Sequence, residues 1–277
     1  MQFGMPTLIE NGTLEENAAL CGSLGLRFIE LNMNFPEYQL DRLERTDALL
    51  RIAESAGIYY TVHLDENLNV ADFNPLVSGA YLETVRRTIG AVKKLICLRD
   101  RFGDSSQPVI LNMHMNHGIH ITLPDRKVQM YDRDFDTYLN SVAKFRDLSE
   151  EWIGDGDVMI AIENTDGFRD YEKKAVDHLL KSPKFGLTWD IGHSKSAREK
   201  DAPFITERAD RIVHFHIHDG TKTPRRDHLA LGDGEIDLTE RLELAGRLNA
   251  RCVLETKTVD ALRRSVKWLH DKKEGTR

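Results

Sequence analysis

Eight short runs of β-branched and aliphatic residues recur along the chain, and an amphipathic segment follows nearly every one. The runs lie near Gln2–Met5, Arg27–Leu31, Tyr59–Leu64, Val109–His114, Val158–Glu163, Phe185–Asp190, Ile212–His218 and Cys252–Glu255. Strands that alternate with helices must pair in parallel through crossovers, and eight such units in 277 residues match a closed (β/α)8 barrel. The runs read as mostly apolar on both faces, as expected of strands walled by side chains within and helices without.

The connecting segments carry their own signals. Thr13-Leu14-Glu15-Glu16 is a capping box, and Leu14, Ala18, Cys21 and Leu24 follow at helical spacing until Gly25. Helical periodicity recurs over 79–101, 134–152, Thr46–Ala56, Tyr171–Leu180, Leu238–Leu248 and Val259–His270. It is weakest after the sixth run, where Ser196–Asp201 is polar and Pro203 interrupts. Asp65–Ser78 and Asn116–Arg133 read as long irregular loops at strand exits, and Asp271–Arg277 as a frayed tail. No Pro/Gly-rich linker divides the chain, so residues 1–277 are expected to form one domain.

Composition narrows the setting. The longest apolar runs are far shorter than the roughly 20 residues of a membrane span, and the N-terminus lacks the basic and apolar regions of a secretory signal, so the chain is expected to begin near Met1. Cys21, Cys97 and Cys252 are odd in number and widely spaced, which suggests neither a disulfide framework nor a thiolate zinc site and makes a cytoplasmic location the default. A net charge of -7 argues against a nucleic-acid partner. A small-molecule substrate is expected instead, and a homo-oligomer is compatible with the sequence.

The chemistry sits at the ends of the runs. The fifth ends Ile160-Ala161-Ile162-Glu163 and the eighth Val253-Leu254-Glu255, so each delivers a carboxylate from among buried aliphatics. That placement is costly unless a cation or hydrogen bonds compensate. A salt bridge would be a sufficient explanation for one such glutamate. It is a poorer one for two, joined by Asp190 at the end of the sixth run and His216 in the seventh. His214, His216 and His218 alternate with apolar residues and share one face of their strand; His214, the deepest, reads as a core histidine. Three carboxylates and an imidazole form a hard, oxygen-rich donor set suited to Mn, Mg, Co or a catalytic Zn.

Read together, Glu163-Asn164-Thr165, Asp190-Ile191-Gly192-His193, His216-Ile217-His218-Asp219, His228 through Gly234, and Glu255-Thr256 resemble the xylose-isomerase-like barrel superfamily of sugar isomerases, epimerases and apurinic-site endonucleases. The resemblance covers nearly the whole chain. It implies that Glu163, Asp190, His216 and Glu255 bind one metal, that Glu163 and Glu255 are the acid and base, and that His193 and Lys222 hold substrate oxygens. His63, His114 and His228 are placed beside the substrate on the same basis. In the endonuclease branch, residues matching His63 and His114 bind further zinc, and a third zinc needs an aspartate where this chain has Arg226. Arginine cannot ligate a cation.

Lys222, Arg225, Arg226 and Arg198 form a basic group that a sugar phosphate would suit, or else a solvated loop. The first expectation is therefore a metal-dependent isomerase or epimerase of a sugar or sugar phosphate. The alternatives are a metal-dependent hydrolase and a non-catalytic metabolite-binding barrel.

Overall fold

The computed structural model describes residues 1–275. Eight parallel strands close into a barrel: β1 (Gln2–Pro6), β2 (Phe28–Asn32), β3 (Tyr59–His63), β4 (Val109–His114), β5 (Val158–Glu163), β6 (Phe185–Asp190), β7 (Ile212–Ile217) and β8 (Arg251–Leu254). Each pairs with its chain neighbours, and β8 closes onto β1 with Gln2 opposite Arg251 and Gly4 opposite Val253. No helix of the described residues is long and apolar enough to cross a membrane.

The first crossover shows how local sequence sets an element. Helix Leu14–Ser23 starts at Thr13, whose hydroxyl accepts from Glu16 N–H at 3.2 Å while Glu16 Oε2 accepts from Thr13 N–H at 3.1 Å. It ends where Gly25, at φ 68°, lets Gly25 N–H reach Gly22 O and Leu26 N–H reach Cys21 O, each at 3.0 Å. A side chain with a β-carbon would be strained in that left-handed conformation.

The structure departs from the sequence pattern in several places. Residues 79–101 are two helices, Pro75–Lys93 and Ile96–Phe102, with Val92, Leu95 and Leu98 buried on both sides of the break. The first begins earlier than its periodicity suggests because Asn74 caps it, accepting from Leu76 N–H at 3.1 Å, and Pro75 occupies its first turn. Within Asn116–Arg133, His120–Thr122 and Lys127–Gln129 form an antiparallel hairpin followed by a helical turn, Met130–Arg133. After β6 come two short helices, Ile191–Ser196 and Ala202–Thr206. Helix Val259–Gly275 runs through most of the expected tail, and residues 276–277 lie outside the described residues.

The larger correction concerns the barrel interior. The strands are not apolar on both faces. Ile29, Leu31, Val62, Leu111, Ile160, Ile162, Leu187, Trp189, Phe215 and Ile217 supply the apolar core. At alternate positions Glu30, Thr61, His63, Asn112, Glu163, Thr188, Asp190, His214 and His216 are all buried. Contacts across the barrel, such as His216 with Glu30, place those residues inside the cylinder. Alternation by twos therefore separates an aliphatic layer from a polar lumen. The opposite end of the lumen is blocked by buried Arg251, which donates to Tyr59 Oη at 2.9 Å and to Pro108 O at 2.6 Å.

Candidate metal centre

Register carries four side chains to one rim. His114 stands opposite Glu163 across β4 and β5, Asp190 opposite His216 across β6 and β7, and Glu255 extends the β8 ladder by donating its N–H to Ile217 O at 3.0 Å. Glu163, Asp190, His216 and Glu255 each offer a ligand atom, and these atoms all lie within 4.8 Å of one another. His216 Nδ1 lies 3.1 Å from Glu163 Oε1, 3.2 Å from Glu255 Oε2 and 3.8 Å from Asp190 Oδ2. All four residues are buried.

Each carboxylate is held by its neighbours. Glu163 Oε2 accepts from Asn112 Nδ2 and faces His114 Nε2 at 3.1 Å and His63 Nε2 at 3.5 Å. Asp190 caps helix Ile191–Ser196: Oδ1 accepts from His193 N–H at 2.6 Å, while Oδ2 lies 3.0 Å from His218 Nε2. Asn164 pins the Asp190 backbone from both sides, accepting its N–H and donating to its carbonyl, each at 2.9 Å. Glu255 Oε1 accepts from Lys257 Nζ at 2.7 Å, whereas its buried Oε2 has no hydrogen-bond partner.

The electrostatics are those of concentrated negative charge. Burial alone would raise the Glu163 carboxyl, but the His216 and His114 imidazoles outweigh it and hold that group well below the usual carboxylate range. Burial works the same way on Glu255, where Lys257 and His216 reverse it. His216 responds in the opposite sense: burial lowers its pKa, and Glu163, Glu255 and Glu30 together drive it well above the ordinary histidine value. Buried carboxylates in this number require positive compensation. An unpartnered Glu255 oxygen aimed at the shared space, with an imidazole nitrogen beside it, fits a divalent cation of the hard class.

Above this cluster opens a cavity of about 600 Å³, lined by His63, Asn67, His114, His117, Asp166, His193, His228, Glu255 and Lys257 among others. His63, His114, His193 and His228, predicted to stand beside a substrate, all line it. Lys222 does not. It lies exposed at the outer end of a hairpin formed by Asp219–Lys222 and Arg225–Leu229, opposite Arg225. Arg198, Arg225 and Arg226 are likewise exposed and are not among the lining residues.

The lysine at the cavity is instead Lys257, which sequence reasoning missed along with Glu30 and Asn112. Lys257 follows Glu255 by two residues, so its nearness to a rim carboxylate was available as a signal. His218 also has a distinct place. Its Nδ1 accepts from His228 N–H at 2.7 Å, which leaves the ring proton on Nε2 to be donated to Asp190. That tautomer makes His218 a brace for Asp190, although its ring clusters with those of His193 and His228.

Sequence comparison agrees with this architecture. A family model described as xylose isomerase-like TIM barrel matches residues 18–272. The chain belongs to that family. Comparison with curated proteins finds no match. Among solved structures, a D-tagatose 3-epimerase-like protein aligns with TM-score 0.74 at 20% identity, covering 99% of this chain and 97% of that one. A 3-keto-D-glucoside 4-epimerase from E. coli aligns with TM-score 0.74 at 14% identity, covering 98% and 99%. A probable 3-DHS dehydratase from Bacillus anthracis aligns with TM-score 0.64 at 13% identity, covering 98% and 99%. At these identities the likeness establishes a shared barrel, and such barrels host different reactions.

Proposed function

We propose that this barrel is a divalent-metal-dependent epimerase or isomerase of a small uncharged keto sugar. The observation that carries the reading is the meeting of two buried glutamates, Glu163 and Glu255, with Asp190 and His216 beneath a cavity that Glu255 lines and that is large enough to admit a sugar. Two of the three structural relatives described above are named for sugar epimerisation or likeness to it, which supports the same reading.

Glu163, Asp190, His216 and Glu255 would hold the cation, which when bound supplies Lewis-acid polarisation of a ketone and its neighbouring hydroxyl. The chain's own residues do the rest. One glutamate takes the proton from the carbon bearing that hydroxyl, and the other returns a proton to the same carbon from its opposite side. Glu163 is braced by Asn112, His63 and His114, so its carboxylate is fixed before substrate enters. Glu255 keeps one oxygen on Lys257, at the cavity wall.

Among the described residues the cavity lining offers no arginine fork for a phosphate. Glu66 and Asp166 line the cavity, whereas the arginines suited to bind a phosphate lie outside it. Neutral hydroxyls find donors and acceptors in Asn67, Asn116 and Thr165.

The test is proton exchange. Purified protein supplied with Mn2+ and incubated in D2O with unphosphorylated ketoses is expected to incorporate deuterium next to the carbonyl, as read by NMR. Glu163→Gln and Glu255→Gln should each reduce incorporation by about 10²–10⁴-fold. A second reading, a metal-dependent hydrolase, draws on the approach of both His63 and His114 to Glu163 Oε2, which would suit a second cation. Two metals per chain and cleavage of a phosphodiester, without exchange into any ketose, would establish it over the first.

A further inference from the structure

Below the four rim residues lies a buried carboxylate that none of the steps above uses. Glu30, on β2, is 1% exposed. Its Oε1 lies 2.8 Å from His216 Nε2, while its Oε2 lies 3.0 Å from His214 Nε2 and accepts from Thr61 Oγ1 at 3.0 Å. Its partners come from β3 and β7, so this glutamate cannot turn without breaking contacts to two other strands.

A neutral imidazole carries one proton and can keep it on either nitrogen. When a cation sits at Nδ1 the proton must be on Nε2, where the Glu30 carboxylate accepts it. Nδ1 is then left with its lone pair facing Glu163 Oε1 at 3.1 Å and Glu255 Oε2 at 3.2 Å. A lone pair aimed at two carboxylates is repulsive in water-free surroundings. It becomes favourable when a cation occupies the space between them. Carboxylates behind a metal-binding histidine are the recognised means of fixing the ring's tautomer and orientation.

We propose that Glu30 is the positioning residue of the centre: it accepts the Nε2 proton of His216 in the cation-bound form and holds Nδ1 toward the space shared by Glu163, Asp190 and Glu255, thereby raising the affinity for the divalent cation. His214 braces Glu30 from the same strand as His216. This inference rests on the metal-centre reading above and adds a residue to it that lies too deep to touch substrate.

The experiment uses the full chain, stripped with EDTA and titrated calorimetrically with MnCl2. Glu30→Gln keeps the size and removes the charge, and is expected to weaken Mn2+ binding by about 10–100-fold. A second readout separates positioning from general damage. In protein loaded with diamagnetic Zn2+ and labelled with 15N-histidine, the wild-type Nε2–H proton of His216 should resonate far downfield because Glu30 accepts it, and Glu30→Gln should lose that shift. If the glutamine variant does not fold, Glu30→Asp, which retains the carboxylate on a shorter arm, is titrated instead and should show a smaller loss. Unchanged Mn2+ affinity, or an unchanged Nε2–H shift in the variant, overturns the role of Glu30 while leaving the centre intact. Wild-type protein that binds no Mn2+ overturns the centre and this inference together.

Discussion

The α-carbon of Gly192 lies against the imidazole of His218, so close that a β-carbon there would stand 1.9 Å from Cε1 and 2.1 Å from Nδ1 of the ring. His218 has no room to yield, because it is fully buried, accepts from His228 N–H and donates to Asp190. Gly192→Ala should therefore destabilise the fold by about 1–3 kcal/mol through overpacking. It should also weaken Mn2+ binding, since Asp190 loses its aligned donor. Urea denaturation and calorimetric titration of the same variant check both effects. A variant matching wild type in both would show that His218 is not wedged as described.

Metal binding should appear as stability. A ligand that binds only the folded state at 100 times its dissociation constant adds about 2.7 kcal/mol, which for a chain of this size raises Tm by about 5–10 °C. EDTA-treated protein should melt lower by that amount and recover with Mn2+. In Asp190→Asn, which weakens one of the four donors, most of the recovery should be missing. Differential scanning calorimetry with and without Mn2+ measures it.

Asp219 organises the loop that follows β7. Its carboxylate accepts from the backbone N–H groups of Gly220 at 2.8 Å, Gly232 at 3.0 Å, Gly234 at 2.9 Å and Ile236 at 3.2 Å. Asp219→Ala removes the shared acceptor of four donors, of which Gly220 N–H is buried and the others reach water, so a loss of about 1–3 kcal/mol is expected. His228 shares that loop, and faster hydrogen exchange over residues 228–236 should accompany the loss.

His117 gives the stability a pH dependence. Burial lowers its pKa, but hydrogen bonds with Asp166 and Glu172 outweigh that and raise it to about 9. Asp166, chiefly through the same contact, falls to about 2. A raised histidine stabilises the fold fully below its ordinary value, and the benefit fades as pH climbs through the folded-state value. His117→Leu should therefore melt below wild type at pH 7, with the gap narrowing as pH passes 9. A gap constant between pH 7 and 10 would show that the imidazolium pairing contributes nothing.

The barrel was legible in the chain because each β/α unit announces itself locally, through period-two runs, helical spacing and signals such as Thr13 with Glu16. The four rim residues were legible for a related reason. Parallel strands all exit at one end, so any polar residue that closes an apolar run must arrive there. The resemblance to the xylose isomerase-like family, carried by motifs at those exits, is matched by the family model over residues 18–272.

What the chain could not disclose by itself is pairing through space. Glu30 sits 186 residues from His216, between the aliphatic Ile29 and Leu31, and nothing local marks it as the partner of that ring. Lys222 and Lys257 are both lysines shortly beyond a strand end; hairpin geometry sends the first to solvent, while the second stays on Glu255. Local propensity and periodicity determine elements and their ends. Which nitrogen faces which oxygen depends on the closure of the barrel, where register brings distant strands within hydrogen-bond reach.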